Sequence, residues 1–218
     1  AALDRGCSRV VAFGGDGTYN EVARGLLGSP TALGALPGGT TSVLCYELAV
    51  PRPPDVALAA LLRGGDRQAR VGRTDRGQIF LLMLSAGPDA LLLERLEPTL
   101  KRIGGRVGVV VQAVLELVRR SAMPSLRVRW AGGAAEGGWA ILGKARSYAG
   151  PFPGAPGADP FSASLELILQ RSVGRGAAVR FIAAIPSGRH VDGEGVLRER
   201  VARATLEPAR GLDRVPYQ

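Results

Sequence analysis

The residues that build many catalytic centres are scarce in this chain. Of its 218 residues one is histidine, His190, and two are cysteine, Cys7 and Cys45. A lone histidine excludes a histidine-based triad or a multi-histidine metal site and leaves His190 a structural or surface role. Two cysteines give neither a disulfide framework nor metal-ligand spacing, so free thiols in a reducing, cytoplasmic compartment are expected. Aromatics make up only 5% of a chain that is 46% hydrophobic, so aliphatic side chains must fill the core. Long apolar runs are missing as well. Residues 79–86 and 107–118 fall short of the roughly 18–20 residues that a membrane-crossing helix needs, and the second is broken by Gln112 and Glu116.

Lysine is nearly absent: only Lys101 and Lys144 occur, and the other 26 of 28 basic residues are arginine. With abundant alanine and glycine, this reads as the codon usage of a GC-rich genome. The net charge of +9 favours an anionic partner such as phospholipid headgroups or nucleotide phosphates. The arginines are scattered, and no zinc-finger spacing or aromatic-basic RNA motif accompanies them, so no nucleic-acid partner is expected.

What the chain does have is glycine, grouped at two turns. Val10 to Phe13 is an apolar strand that runs into Gly14-Gly15-Asp16-Gly17-Thr18, after which Tyr19 to Leu27 has a helical pattern. Glycines at 14, 15 and 17 allow positive φ and close approach to a ligand, and the helix start offers free N–H groups to an anion. Asp16 would repel a phosphate unless a divalent cation, or a hydrogen bond to a sugar hydroxyl or water, compensates it. The turn therefore suggests a nucleotide with magnesium, Asp16 holding the metal or its water shell. Thr18 joins Gly14, Gly15 and Gly17 as a phosphate candidate, although Thr18 and Glu21 also have capping-box spacing.

A second turn repeats the arrangement. Thr31 to Leu36 can form the next parallel strand, and Pro37-Gly38-Gly39-Thr40-Thr41-Ser42 leads into a helical stretch from Val43 to Leu48. Glycine turns at the carboxyl ends of successive parallel strands face one crevice, which adds Gly39 and Thr40 to the phosphate set.

These residues resemble the catalytic domain of the diacylglycerol kinase and sphingosine kinase superfamily of lipid kinases. The likeness rests on Gly14 to Thr18 with Asn20-Glu21, then Pro37, Gly39 and Thr40; the first motif is also similar to that of NAD kinases. Later segments keep the family's order: Phe80 with Gly87-Pro88-Asp89-Ala90, Lys101 to Gly105, Pro156-Gly157-Ala158 before Leu165-Glu166-Leu167, and Gly188 with His190. The resemblance implies ATP and Mg2+ as cofactors and Asp16 as the catalytic and metal-binding residue. It also implies a lipid substrate met at an anionic membrane surface by a cytoplasmic, peripherally membrane-associated protein, for which a homodimer is compatible.

The chain departs from the family in places. Ser42 and Val43 stand where the family has Asn and Asp, and Ser162-Ala163-Ser164-Leu165-Glu166 stands on a D-G-x-L-D that supplies a structural magnesium in some bacterial members. The family's late D-G-E, assigned to the catalytic base, would fall beyond Gln218. Asp192-Gly193-Glu194 precedes a strand expected at 201–206 and reads as a turn, with Glu194 an outside candidate for the base.

The expected fold class is α/β plus β-rich. An incomplete Rossmann-like nucleotide-binding domain over residues 1–66, with two parallel strands and a helix from Pro54 to Arg63, precedes a β-sandwich-like domain over 67–218. Strands are expected there at 69–74, 78–86, 126–131, 138–145, 164–169 and 201–206, helices at 89–100, 107–120 and 176–185, and a Pro/Gly loop at 150–160. Two parallel strands make a poor sheet, so a further βαβ unit in front is expected. The leading functional expectation is an ATP-dependent lipid kinase acting on diacylglycerol, a sphingoid base or a related lipid. The alternatives are an NAD kinase-like enzyme and a nucleotide-binding module without catalysis.

Overall fold

The computed structural model describes residues 2–39, 41–88, 90, 125–210, 215 and 217. It divides into two compact units, one of residues 1–82 and 144–163, the other of 83–143 and 164–218. The helices expected at 89–100 and 107–120, Asp89, and the Lys101 to Gly105 run lie outside the described residues.

The first unit opens with β1 (Arg9–Gly14), α1 (Asp16–Leu26), β2 (Ala32–Pro37), α2 (Val43–Glu47) and α3 (Pro54–Arg63). β1 and β2 pair in parallel, in register from Arg9↔Ala32 to Gly14↔Pro37. On one face the small side chains of Ala12 and Ala35 let α1 and α2 approach, and Tyr19, Leu44 and Cys45 complete that core. On the other face Leu61 of α3 covers Gly34, while Val11 and Phe13 stay 42% and 65% exposed. α3 starts on Pro54, whose fixed φ suits the first helical turn. Its last turn is closed from outside the helix, where the Arg9 guanidinium donates to the carbonyls of Leu61, Leu62 and Gly64.

Two short antiparallel hairpins complete this unit. β3 (Gly72–Arg73) pairs with β4 (Ile79–Phe80), the Phe80 ring filling the space beside Gly72. Ser147–Tyr148 and Phe152–Pro153 form the second hairpin, partly within the segment expected as a loop.

The second unit is largely antiparallel. Numbered in chain order, β5 (Met83–Ala86), β8 (Trp139–Gly143), β11 (Leu165–Gln170) and β12 (Val196–Val201) form one sheet in the order β12-β11-β8-β5; the hairpin strands at 147–148 and 152–153 are β9 and β10. A second sheet joins β13 (Ala204–Arg210), β6 (Ser125–Trp130) and β7 (Gly133–Gly137), in that order. Every residue of β8 is buried, as its unbroken apolar run requires. Helix α4 (Arg175–Ala184) packs through Phe181, whose ring lies 5.2 Å from Trp139 and 5.1 Å from His190. His190 is thus a core residue, 2% exposed.

Three expectations need correction. The strand expected at 78–86 is two: β4 (Ile79–Phe80) pairs with β3, and β5 (Met83–Ala86) joins a different sheet. Residues 201–206 are not one strand: the chain turns at Ala202-Arg203 between β12 and β13, without a glycine or proline to mark the corner. β7 was not expected, because Gly133–Gly137 has almost no apolar content and pairs as the outer strand of its sheet. Asp192-Gly193-Glu194 does form the turn into β12, with Val196 N–H donating to Gly193 O at 3.1 Å.

Candidate functional site

The in-register parallel pair brings both glycine turns to the same end of β1 and β2. Gly38 N–H donates to Gly14 O at 2.8 Å, and a Cβ added to Gly39 would lie 2.7 Å from Gly15 Cα. The glycines therefore serve close approach of one turn to the other. The expected positive φ is not found at Gly14, Gly15 or Gly17; Gly15 has φ −111° and stands in extended conformation just before α1.

The helix also starts earlier than its pattern suggested. Asp16 is its first residue, so Gly17 and Thr18 already lie within the first turn, and no side chain caps it. The amides of Asp16, Gly17 and Thr18 are among those that an α-helix leaves without internal partners. The Thr18–Glu21 capping box does not form, since Thr18 is inside the helix and Glu21 turns to Arg24 at 3.8 Å. Thr18 instead folds over Gly14, where an added Cβ would meet its Oγ1 at 2.6 Å. Asn20 reaches away from the turn and donates through Nδ2 to Ile79 O at 3.0 Å. Thr40 lies outside the described residues.

Asp16 points across to the second turn. Its Oδ2 accepts Val43 N–H and its Oδ1 accepts Leu44 N–H, both at 2.9 Å. The carboxylate thereby satisfies the opening amides of α2, and its charge is compensated by the start of that helix. Ser42, just before α2, sits in the left-handed region at φ 45°, ψ 58°, a conformation that costs a β-carbon-bearing residue energy and persists only when neighbours enforce it. The neighbours are visible: Ser42 Oγ accepts Gly39 N–H and donates to Gly14 O, each at 3.2 Å.

Beneath both turns lies the fully buried Tyr19. Its hydroxyl is 2.6 Å from Gly14 O and 2.7 Å from Leu36 O, sharing one proton between the ends of the two strands. Burial, followed by the hydrogen bond with Cys45, pushes the Tyr19 phenol up to about 12. Burial also pushes the Cys45 thiol up, which keeps it a protonated packing group.

Sequence reasoning missed Tyr19 and Ser42, and it missed two buried charges that fix the segment at 144–163. Glu47, at the end of α2 with its side chain 2% exposed, accepts Arg146 N–H at 3.1 Å, Ser147 N–H at 2.9 Å and the Ser147 hydroxyl at 2.8 Å. Lys144, 1% exposed, donates to the carbonyls of Asp159 at 2.7 Å and Ser162 at 2.6 Å. One signal pointed to Lys144: in a chain that uses arginine almost everywhere, a retained lysine marks a place where a compact ammonium fits and a guanidinium fork does not.

The donor set does not make a metal site of the protein's own. Both oxygens of Asp16 already accept amides, and among the described residues no group of three His, Cys, Asp or Glu side chains could hold a metal ion. Nor, among the described residues, is any helix long and apolar enough to cross a membrane.

Comparison with known proteins gives this geometry a context. Residues 1–74 match the diacylglycerol kinase catalytic domain. A diacylglycerol kinase of Mycobacterium tuberculosis is 27% identical over 215 residues, covering 95% of this chain and 69% of the relative. A probable lipid kinase, YegS-like, of Chromohalobacter salexigens is 38% identical over 108 residues, 48% of this chain and 34% of the relative. The chain thus spans about two thirds of the first relative, and its match covers about one third of the second. In fold it is similar to a crystal structure of a diacylglycerol kinase from Bacillus anthracis, with a TM-score of 0.70 at 21% identity over 93% of this chain and 67% of that one. Kinases of this family use ATP and usually a divalent metal. Residues 1–74 thus match the diacylglycerol kinase catalytic-domain model, and over most of its length the chain is similar to a diacylglycerol kinase.

Proposed function

We propose that the paired glycine turns bind the phosphates of ATP and that the protein is a lipid kinase, transferring the terminal phosphoryl group to a hydroxyl of diacylglycerol, a sphingoid base or a related lipid. The observation that carries this reading is the meeting of two backbone turns, Gly15 against Gly39, beside the uncapped start of α1 in the segment that matches the family. Phosphoryl transfer asks the protein chiefly for positioning and for charge compensation along the phosphates. Gly14, Gly15, Gly17 and Gly39 form the phosphate-facing backbone in this reading, with the Thr18 hydroxyl at its edge, and Thr40 joins the phosphate set on sequence grounds. Tyr19, Ser42 and Asp16 hold the two turns in register.

Asp16 acts here as a positioning residue. A magnesium ion would travel with the nucleotide, coordinated by its phosphates and water, and reach Asp16 through that water shell at most.

The test is equilibrium binding of ATP to the chain, with and without magnesium, followed by phosphoryl transfer to a lipid panel and to NAD by the full-length protein. Binding with transfer to lipid supports the reading; transfer to NAD moves the enzyme to the soluble-substrate class. Binding without transfer to any acceptor selects a second reading, a nucleotide-binding module without catalysis. Val43 favours that second reading: where the family has an acid, this residue gives the site only its backbone N–H.

A further inference from the structure

Helix α2 is held by a carboxylate at each end. At its start Asp16 accepts Val43 N–H and Leu44 N–H. At its last residue Glu47 turns to donors 99 and 100 positions downstream: Oε2 accepts Arg146 N–H, Ser147 N–H and the Ser147 hydroxyl, and Oε1 accepts Arg146 Nε–H at 3.4 Å. An acid in that place opposes the negative end of the helix dipole, so these donors supply its compensation. The backbone around α2 is also strained. Among the described residues, the non-glycine residues with positive φ are Ser42 at 45°, Ala49 at 53° and Ala149 at 49°. Ser42 leads into α2, Ala49 leads out of it, and Ala149 lies in the turn between β9 and β10, the hairpin whose first strand Glu47 holds. A residue with a β-carbon keeps this conformation only where its surroundings enforce it. α2 itself has five residues, far fewer than the roughly 12–15 at which isolated helices become marginal, so its order depends on its two ends and on the burial of Val43, Leu44 and Cys45.

We infer that Glu47 is a positioning residue for the nucleotide turn, and that α2 couples nucleotide binding to the order of the β9–β10 hairpin. By holding the end of α2, Glu47 keeps Ser42 in place at its start. Ser42 in turn fixes the second glycine turn, since its Oγ accepts Gly39 N–H and donates to Gly14 O. α2 is thus an element with two states, ordered or unravelled, whose balance both ends bias. Whatever stabilises one end lowers the cost of ordering the other, and by linkage the effect is equal in both directions. The nucleotide arm of the inference rests on the phosphate reading of the glycine turns; the coupling between the two ends of α2 does not.

The experiment is hydrogen exchange of the full-length protein, read by mass spectrometry on its peptides, in wild type, Asp16→Asn and Glu47→Ala. Without nucleotide, Asp16→Asn should speed exchange about tenfold in the peptide that carries Arg146 and Ser147, and Glu47→Ala should do the same in the peptide that carries Val43 and Leu44. Each effect lies at the far end of α2 from its cause. Saturating ATP should slow exchange at Arg146 and Ser147, and Glu47→Ala should lower ATP affinity about tenfold. Glu47→Gln keeps the shape and a carbonyl oxygen for the Arg146 and Ser147 amides, and should recover most of that affinity. Lys144→Met is the control: it loosens the same segment at Asp159 and Ser162, so it should lower the urea midpoint and bind ATP as wild type does. A merely structural Glu47 would behave like Lys144. If Glu47→Ala fails to fold, Ser147→Ala removes only the hydroxyl on Glu47 and carries the same readouts at smaller amplitude. The inference is overturned if exchange at each end ignores substitution at the other, or if Glu47→Ala binds ATP as tightly as wild type. Should wild type bind no nucleotide, the kinase reading falls and exchange at the two ends alone decides the inference; ATP binding without the cross-effect leaves that reading standing and removes the inference.

Discussion

Asp16→Asn separates two roles for one carboxylate. The substitution keeps shape and one acceptor but turns an NH2 group toward an amide, so either Val43 N–H or Leu44 N–H loses its 2.9 Å partner. It also removes the negative charge at the start of α2. A hydrogen bond to a charged group contributes about 1.5–3 kcal/mol and a helix cap about 0.5–2 kcal/mol. Asp16 is half-buried, which favours the lower parts of both ranges. α2 has five residues and cannot sustain itself without its ends tied. A loss of about 2 kcal/mol is therefore expected, read as a lower urea midpoint with unchanged slope. The second turn would then be ordered only at the expense of binding energy, so ATP affinity should fall about 10- to 30-fold, at about 1.4 kcal/mol per tenfold. That fall should be the same with and without magnesium, because the lesion lies in the backbone. An unchanged urea midpoint would refute the reasoning. So would titration calorimetry showing magnesium-free affinity intact and only the magnesium-dependent gain abolished, which is the mark of a metal ligand.

Three further perturbations probe the same unit. Tyr19 ionises near 10 when unfolded and near 12 when folded, so its share of stability is complete below pH 10 and is lost as pH rises through the folded value. At about 1.36 kcal/mol per unit this amounts to about 2–3 kcal/mol; Tyr19→Phe should lack that part of the alkaline decline, and parallel pH profiles of unfolding would contradict the burial argument. Gly39→Ala places a methyl 2.7 Å from Gly15 Cα; the turns must part, and ATP binding should be lost while the far-UV spectrum stays native. Wild-type affinity in that variant would show that the turns do not act as a pair. Lys144→Met strands the carbonyls of Asp159 and Ser162, a loss of about 1–3 kcal/mol in denaturant midpoint. Burial holds the Lys144 amine below its ordinary 10.5, so the unfolded chain binds more protons in the window below 10.5. Wild type should gain stability as pH rises through that window, and the methionine variant should not.

Much of the first unit was legible because its signals are local. Pro54 and Arg63 bound α3 where the pattern placed it, and β1 and β2 appear as short apolar runs that stop at glycine. The start of α1 was less legible. Gly15 and Gly17 looked like turn residues throughout, yet the helix begins between them, held by Tyr19 N–H on Gly15 O at 3.1 Å. The use of Asp16 could not be read from its neighbours, because its partners are backbone amides 27 and 28 positions away. Ser42 carried no sign of its left-handed backbone, a conformation more often given to glycine or asparagine. The corner at Ala202-Arg203 was hidden for the opposite reason: no glycine or proline marks it, and the two strands separate because they join different sheets.

The stretch from 144 to 163 has a bearing on how the chain is made. It lies between β8 and β11 of the second unit in sequence but belongs to the first unit in space, and Glu47 waits for partners 99 and 100 residues downstream. At about 5–20 residues per second of synthesis, that wait lasts about 5–20 s. During it the acid at the end of α2 has none of the amide donors that later bury it. The amino-terminal unit therefore cannot mature as an early folding module while the rest of the protein is still being translated. A ribosome-bound chain halted before residue 144 should expose α2 to protease, whereas one extended beyond residue 163 and clear of the exit tunnel should protect it.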